Sequence, residues 1–274
     1  MERPIITSLS NPLIKQARAL RQKKARTESG SFLVEGIHHV GEAVSAGWDL
    51  ESLLYAPELL TSEFAWELTS RPSINPQPVS THVMESLADK ENPQGILAIV
   101  RQKKTNIDSF QLPPTEQANS KCVGLVSPQD PGNVGTILRT MDAVGADALF
   151  LLESMDGSRS SVELYHPTVI RSSMGTIFWK PVIQSSFGEF LDWAGQGNCQ
   201  LIGSSAHGDV EFQTFMPDLP WALVLGNEQK GLSSEEVQAC NVTVSLPMKG
   251  RVSSLNLAVA AGILLYRFTK VSGS

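Results

Sequence analysis

The sequence predicts an α/β fold in two domains. Short apolar runs of strand length alternate with helical patterns along most of the 274 residues, a pattern typical of layered α/β proteins. The composition, 41% hydrophobic and 18% charged, suits a globular chain with a sizeable core. One polar, proline-containing stretch at 105–120 shows neither helical nor strand periodicity. We interpret it as a linker between domains at 1–104 and 121–274.

The first domain begins with a basic helix that starts at Asn11-Pro12, where proline suits the first turn, and ends before Gly30. Its apolar positions recur at helical spacing, so we expect one amphipathic arm. The elements predicted next are strand 32–35, helix 37–44, strand 50–55, helix 58–70, a strand near 78–79, helix 81–89 and strand 95–100.

The second domain is predicted to contain about six strands, several of them continuous apolar runs typical of buried parallel strands. The elements are strand 122–126, helix 134–144, strand 148–152, helix 167–174, strand 177–183, helix 187–194, and strands 200–203, 222–225 and 242–246, with a polar loop at 204–220. A final helix, Leu257–Leu265, is apolar nearly all round, which predicts burial on several sides. Ser253 or Ser254 is the expected N-cap.

Cysteine and histidine patterns narrow the chemistry. Cys122, Cys199 and Cys240 lie far apart beside apolar runs, which indicates buried free thiols in a reducing compartment. The five histidines have no metal-ligand spacing, so we expect no metal. The N-terminus lacks the apolar region of a signal peptide, and we expect a cytoplasmic protein without a membrane partner.

Charge is unevenly distributed. The net charge is −6, yet residues 1–26 hold seven basic side chains against one acidic one. A basic segment on an acidic body can bind phosphate, although a solvated helix face is the alternative. The residues that we consider candidates for contact with phosphate are Lys15, Arg18, Arg21, Lys23, Lys24 and, further along, Arg171.

Several enzyme classes are excluded by missing motifs. The turn after Val126 is not the G-x-G-x-x-G of dinucleotide enzymes, and neither a P-loop nor a G-x-S-x-G elbow occurs. What remains is a set of polar side chains in loops that follow strands, where α/β sheets bind ligands. The candidates are Asn133, Arg139, Glu228, Ser254 and Asn256. Taken singly, Asn133 could be a helix cap, Arg139 a surface charge and Glu228 a loop acid.

Taken together, the segments that carry these residues resemble a known family. Asp130–Gly145, Leu225–Leu232 and Leu246–Ala260 are similar, in order, to the three motifs of the SpoU (TrmH-like) RNA 2′-O-ribose methyltransferases. Val169–Gly175 resembles a further block of that family. Residues 32–37 and 91–100 are similar to the substrate-binding domain of its ribosomal-RNA members.

The resemblance implies a SPOUT-type α/β domain with a C-terminal trefoil knot, preceded by a small L30e-like RNA-binding domain. General folding rules disfavour knots, so this expectation rests on the resemblance alone. It also implies a homodimer with its sites near the interface, and S-adenosylmethionine-dependent 2′-O-methylation, most simply of 23S-type rRNA. A tRNA ribose methyltransferase and a non-catalytic RNA-binding ribosome-assembly factor are the alternatives.

The same resemblance assigns roles to residues. Arg139 matches the arginine thought to activate the ribose hydroxyl, either as a base or by holding an RNA phosphate. Glu228 is expected to orient Arg139 or Asn133, while Ser254 and Asn256 support the site. The cofactor-binding residues carried over are Ser204, Gly226, Leu246, Met248 and Leu255. Their backbone groups would bind the adenine, and Gly226 would leave room for it because glycine has no side chain.

Overall fold

The structure is a computed structural model that describes residues 3–71, 74–89, 92–111, 119–158 and 162–269. The chain divides into two units. The first takes the chain up to Lys103 together with Tyr165–Trp179, and the second takes Lys104–Leu164 and the chain from Lys180 onward. The segment Tyr165–Trp179 therefore packs with the N-terminal unit, which its place in the sequence did not indicate.

The described residues form helices and strands that we number in chain order. The helices are α1 (Pro12–Ala19), α2 (Lys23–Ser29), α3 (Ile37–Ser45), α4 (Glu63–Ser70), α5 (Thr81–Leu87), α6 (Pro131–Val144), α7 (Pro167–Ser172), α8 (Phe187–Gln196), α9 (Ser234–Ala239) and α10 (Leu257–Thr269). The strands are β1 (Ser31–Glu35), β2 (Leu50–Tyr55), β3 (Pro76–Pro78), β4 (Ile96–Arg101), β5 (Lys121–Val126), β6 (Ala148–Glu153), β7 (Val182–Ser186), β8 (Gln200–Ser204), β9 (Val210–Glu211), β10 (Trp221–Leu225) and β11 (Val242–Ser245). Single 3₁₀ turns occur at Ile107–Ser109 and Thr176–Phe178.

The first unit is built on a mixed four-stranded sheet in the order β1-β4-β2-β3. β4 is antiparallel to both β1 and β2, whereas β2 and β3 are parallel. Helices α1 and α5 bury their apolar faces against β2 and β4, with Ile14, Ala17 and Met84 in that core. Burial of such aliphatic faces is the main stabilising contribution to a small unit.

The predicted single N-terminal helix is wrong, because the chain forms two helices with a break at Leu20–Gln22. Asn11 caps α1 by accepting a hydrogen bond from the Leu13 N–H at 2.9 Å. At the break, the buried Arg26 guanidinium, 2% exposed, donates to the carbonyl oxygens of Leu20 and Arg21, each at 2.8 Å. A side-chain donor thus satisfies carbonyls that a continuous helix would have used.

The segment Tyr165–Trp179 is fixed within the first unit by aromatic and hydrogen-bonding contacts. The Tyr165 ring stacks on Phe32 at a centroid distance of 4.5 Å, and Trp48 Nε1 donates to the Phe178 carbonyl at 2.7 Å. The strand predicted at 177–183 is therefore wrong: Thr176–Phe178 is a buried 3₁₀ turn, and the strand begins only at Val182.

The second unit contains a sheet in the order β7-β6-β5-β10-β8-β11-β9. Every neighbouring pair is parallel, so the carboxyl ends of the strands meet at one edge. β9 lies within the segment predicted to be a loop. Its two residues are too few for periodicity to reveal, and β11 supplies its pairing.

Helices cover both sides of the strands of the second unit. α8 packs on β6 and β7, and α10 packs against α6 and β10. The prediction that the last helix is buried on several sides is only partly right: Ala261 and Leu264 are buried, but Val259, Ile263 and Tyr266 are 50%, 37% and 53% exposed. Their spacing of four and three residues places them on one face of α10, which is an apolar stripe open to solvent.

Part of the predicted linker belongs to the second unit. Ile107 is buried in its core, and the Phe110 ring lies edge-on to Phe150 at 5.8 Å. Residues 112–118 of the predicted linker lie outside the described residues. Within the described part of the chain, no helix is both long and apolar enough to cross a membrane.

Candidate active site

A pocket of about 470 Å³ opens at the carboxyl edge of the second unit's sheet. It lies where the loops after β5 and β10 meet the segment that leads into α10. Its lining residues are Gln129, Asp130, Asn133, Glu228, Gln229, Ser254, Leu255, Asn256 and Leu257. The structure therefore brings together four of the five predicted site residues from three separate stretches of sequence.

The N-terminus of α6 positions Asn133. Asp130 is the N-cap, since its carboxylate accepts from the Gly132 N–H at 2.7 Å, and Pro131 opens the helix. The helix begins earlier than the predicted 134, because proline is well suited to a first helical position. Asn133 is therefore not the cap. It lies in the first turn with its side chain almost fully buried, at 6% exposure.

Glu228 joins the loop after β10 to the start of α6. Its carboxylate accepts from the backbone N–H groups of Gln129 and Asp130 at 2.9 and 3.2 Å. It also accepts from Asn133 Nδ2 at 3.1 Å. Three donors around one carboxylate fix its orientation.

Asn256 extends this row on the other side of Asn133. Its Nδ2 donates to Asn133 Oδ1 at 2.9 Å, and its Oδ1 accepts from the N–H groups of Ala258 and Val259 at 2.9 and 3.3 Å. Asn256 is thus the N-cap of α10, and the prediction of Ser253 or Ser254 is wrong because the helix begins at Leu257. We call Glu228, Asn133 and Asn256 the polar row.

Arg139 is not part of this pocket. It is exposed on α6, and its guanidinium makes no hydrogen bond or ion pair with the residues that the structure describes. The hypothesis that Glu228 orients Arg139 is not supported within one chain, since Glu228 binds Asn133 instead. The described lining residues include the carboxylates of Asp130 and Glu228 and no basic side chain.

The predicted cofactor residues cluster at the same sheet edge. Ser204 pairs with Leu225 of β10 and with Val244 of β11, so Ser204, Gly226 and Leu246 lie at neighbouring strand ends. Leu255 lines the pocket itself. Met248 lies half-buried in the irregular segment between β11 and α10.

The structure gives a reason for glycine at position 226 that the prediction did not include. A Cβ there would lie 2.1 Å from the Gly231 carbonyl carbon and 2.2 Å from the Leu232 nitrogen. Because the loop returns on itself at this point, its own backbone excludes any side chain.

Two residues that fix loops at this edge of the sheet were missed. Asn227 Nδ2 donates to the Ser127 carbonyl at 2.8 Å, and its Oδ1 accepts from the Gln229 N–H at 2.9 Å. Buried Glu236 accepts from Ser154 Oγ at 2.6 Å and closes a capping box with Ser233 at the start of α9. The S-x-x-E spacing was the available signal for Glu236.

The cysteines do not offer a nucleophile. Burial raises the pKa of the Cys199 thiol to about 12, and burial followed by the charge of Glu236 raises the pKa of Cys240 to about 12. Burial also raises the pKa of Cys122 well above its usual range. All three thiols stay protonated at neutral pH. Among the described residues, no group of three or more His, Cys, Asp and Glu side chains could hold a metal ion.

The residues expected to contact RNA all lie in the first unit. Lys15, Arg18, Lys23 and Lys24 are exposed on α1 and α2. Arg21 donates to the Leu87 carbonyl at 2.8 Å and to that of Ala88, and Arg171 forms an ion pair with Asp89. The two arginines are therefore held against the C-terminal end of α5.

The comparisons with known proteins identify the family. The model of the SpoU rRNA Methylase family matches residues 120–266, more than half of the chain. The chain belongs to the SpoU rRNA methylase family. A second model, the MRM3-like substrate binding domain, matches residues 11–98.

Relatives of this SpoU chain match it along nearly its whole length. A 23S rRNA (uridine(2479)-2′-O)-methyltransferase of Streptomyces viridochromogenes is 33% identical, covering 90% of this chain and 85% of the relative. The 23S rRNA (guanosine(2553)-2′-O)-methyltransferase RlmP of Bacillus subtilis is 29% identical, covering 95% and 97%. An AdoMet-bound rRNA methyltransferase from Sinorhizobium meliloti superimposes with a TM-score of 0.83 at 32% identity, covering 96% of each chain. The α/β fold with a parallel sheet, predicted for the SpoU unit, is confirmed.

Proposed function

We propose that this SpoU protein methylates the 2′-hydroxyl of a ribose in 23S-type ribosomal RNA, with S-adenosylmethionine as the methyl donor. The observation that carries the proposal is the polar row, in which Asn133 bridges Glu228 at 3.1 Å and Asn256 at 2.9 Å beside a pocket at the sheet edge. Each residue of the row comes from a different family motif. The named relatives are 23S rRNA 2′-O-methyltransferases, and a structural neighbour contains AdoMet.

The chain offers a suitable place for the cofactor. Ser204, Gly226 and Leu246 supply backbone groups at adjacent strand ends, and the half-buried Leu246, Met248 and Leu255 offer apolar surface for a nucleoside. Such a combination of apolar surface and backbone polar groups suits an adenosine. When bound, S-adenosylmethionine supplies an electrophilic methyl group that a ribose oxygen can attack.

The protein's part in the reaction is to hold the loops and to ease loss of the hydroxyl proton. The polar row fixes the loop after β10 and the start of α10 against α6, which keeps the pocket in shape before substrate arrives. A guanidinium group is a poor proton acceptor in proteins, so a role of Arg139 as general base is unfavourable. We propose that it binds a phosphate next to the target ribose and stabilises the oxygen as negative charge develops.

We also propose that the protein is a homodimer in which Arg139 serves the partner's pocket. The described pocket lining has no basic side chain, and Arg139 is exposed. The apolar stripe of α10 lies beside it, because a Cβ on Gly262 would approach Thr140 Cγ2 at 3.9 Å. A second copy that covers Val259, Ile263 and Tyr266 would bury them and bring a second Arg139 to the same side.

The remaining assignments are proposals of the same kind. The second unit is the catalytic domain, with the trefoil knot of the family and with Ile107 of the predicted linker in its core, and the first unit, which includes Tyr165–Trp179, is the L30e-like RNA-binding domain. The basic residues of α1 and α2, with Arg171, contact RNA. A cytoplasmic location agrees with three free thiols, which persist in reducing compartments.

Transfer of labelled methyl groups from S-adenosylmethionine to unmodified 23S rRNA and to tRNA tests the function. We expect label in 23S rRNA and its loss with Arg139→Ala, while Arg101→Ala, which removes an exposed arginine paired with Asp49 and Glu51, retains it. Label in tRNA alone would establish the tRNA enzyme. RNA binding without cofactor binding would establish the non-catalytic assembly factor.

Mixing two inactive variants tests the shared site. Arg139→Ala and Glu228→Ala are each expected to be inactive as homodimers. If Arg139 acts on the partner's pocket, a mixed dimer contains one intact pocket, and activity returns to about a quarter of the wild-type level after random exchange. If Arg139 acts within its own chain, mixing restores nothing.

A further inference from the structure

The first unit contains a second pocket, of about 250 Å³, between the end of α5 and helix α7. We call it the α5–α7 pocket. Its inner surface is apolar, because Leu87, Leu97 and Ile170 line it and are almost fully buried. Its mouth is charged, since Arg21 and Arg171 line it and are exposed. All of its described lining residues belong to the first unit.

The walls of the pocket are well supported. The α7 wall is held by the Tyr165 ring on Phe32 and by the Trp48 hydrogen bond to Phe178. On the opposite side, the Glu35 carboxylate accepts from the Asp89 N–H at 2.9 Å and so fixes the chain that leaves α5. A pocket with such walls is formed before any ligand binds, which lowers the entropic cost of binding.

The size and chemistry of the pocket suit a single flat ring with polar edges. Pockets for drug-sized ligands span roughly 300–1000 Å³, so 250 Å³ suits one ring system. Apolar side chains can cover the ring faces, while the carboxylates of Glu35 and Asp89 can accept from ring N–H groups. These are the features by which proteins recognise unpaired RNA bases.

The two arginines at the mouth are placed for phosphate. Arg171 is paired with Asp89, and both side chains are about half exposed. Exposed ion pairs contribute little to stability, so a phosphate can replace Asp89 as the partner of Arg171. Arg21 is oriented by two carbonyl oxygens at the end of α5, which leaves further guanidinium N–H groups for a second contact.

We propose that the α5–α7 pocket binds one unpaired nucleobase of the RNA substrate, with its flanking phosphates on Arg21 and Arg171. This inference rests on the proposed function, since it assumes an RNA substrate. It assigns the first unit a base-specific contact in addition to general attraction for phosphate. The target nucleotide enters the pocket of the second unit, so this base is a different nucleotide of the same RNA.

The test uses the full-length protein and fluorescent heptanucleotides that carry an abasic ribose at every position except the central one, which carries A, C, G, U or no base. Fluorescence anisotropy gives the dissociation constant for each. We expect at least one base to bind about tenfold more tightly than the abasic oligonucleotide. Equal affinity for all five would overturn the proposal, and this comparison needs no variant.

Two variants separate the base contact from the phosphate contact. Thr168→Trp fills the pocket from α7, where Thr168 is half-buried. It should remove the tenfold difference and leave abasic binding unchanged. Arg171→Gln should weaken all five oligonucleotides alike and reduce the salt dependence by about one phosphate contact. Thr69→Trp on α4, at a half-buried threonine away from the pocket, is the matched control and should behave like wild type.

Further measurements distinguish the possible failures. Methylation of 23S rRNA together with equal affinity for base and abasic oligonucleotides would overturn the pocket but not the enzyme. Base-dependent binding without methylation of any RNA would overturn the enzyme but not the pocket. Competition by free nucleoside 5′-monophosphates as strong as that by the heptanucleotides would show a free-nucleotide site and overturn RNA as the occupant.

Discussion

Glu228→Gln is the substitution that most directly tests the polar row. In the wild type, Oε1 accepts from Asp130 N–H and Asn133 Nδ2, and Oε2 accepts from Gln129 N–H. Glutamine has a similar size but only one acceptor oxygen. If that oxygen keeps Asp130 N–H and Asn133 Nδ2 as donors, the glutamine NH₂ group faces the Gln129 N–H. The bond to Gln129 is then lost, and the other two bonds go to a neutral acceptor.

The expected cost follows from these three bonds. A hydrogen bond to a charged group contributes about 1.5–3 kcal/mol, and a neutral one about 0.5–1.5 kcal/mol. The variant loses one hydrogen bond and weakens two. Because Glu228 is only half-buried, we discount the sum and expect the second unit to be destabilised by about 2 kcal/mol. If the same energy holds the site in its reactive shape, kcat/KM falls about 30-fold.

Urea denaturation and steady-state methyl transfer check both quantities on the same preparation. Glu235→Gln is the matched control, since Glu235 is exposed in the first turn of α9, and it should change stability by less than about 0.5 kcal/mol. Wild-type stability and wild-type kcat/KM in Glu228→Gln would refute the idea that the row holds the site together.

Three further predictions concern other parts of the chain. Gly226→Ala should raise the dissociation constant for S-adenosylmethionine at least tenfold, measured by calorimetry, because its Cβ would lie 2.1 Å from backbone; Gly188→Ala, with nothing within 4 Å, is the control and should bind normally. Burial raises the pKa of Tyr165 to about 12, so the folded protein favours the neutral phenol. The resulting contribution to the free energy of unfolding is complete below pH 10 and is lost as pH rises through 10 towards 12. The unfolding free energy should therefore fall more steeply between pH 9 and 11 for wild type than for Tyr165→Phe, and parallel curves would contradict this. Ile263→Asp, on the exposed stripe, should give monomers by analytical ultracentrifugation, whereas the exposed Gln238→Asp should not; a wild-type dimer in Ile263→Asp would argue against this face as the interface.

The central strands of the second unit were predictable because their composition alone indicates burial on both faces. Buried parallel strands such as β5 and β10 are continuous apolar runs, and the runs at 122–126 and 222–225 match Lys121–Val126 and Trp221–Leu225 within a residue. Four of the five motif residues, which the sequence placed in loops after strands, line one pocket, whereas Arg139 does not. Their chemistry identifies the family even where a single residue has an ordinary structural role, as Asn256 has when it caps α10.

What escaped prediction depends on contacts between distant parts of the chain. The 3₁₀ turn at Thr176–Phe178 looks like a strand by composition, but Ile177 and Phe178 are buried in the first unit. Likewise, Arg26 was counted among the basic residues of an RNA-binding arm. It is buried against the carbonyls of Leu20 and Arg21, so its charge serves the fold. Neither periodicity nor charge count contains this information.

The polar row joins three distant stretches of the sequence by side-chain hydrogen bonds. Asn133 is the only one of the three residues that bonds to both others among the described contacts, so it links the loop after β10 to the cap of α10. Asn256 satisfies two N–H groups of α10 while holding Asn133, which couples the start of that helix to the pocket. The same helix carries the apolar stripe on its outer face. A second copy that covered this stripe would therefore stabilise α10, whose N-cap is Asn256. In this way a dimer would also stabilise the geometry of the site.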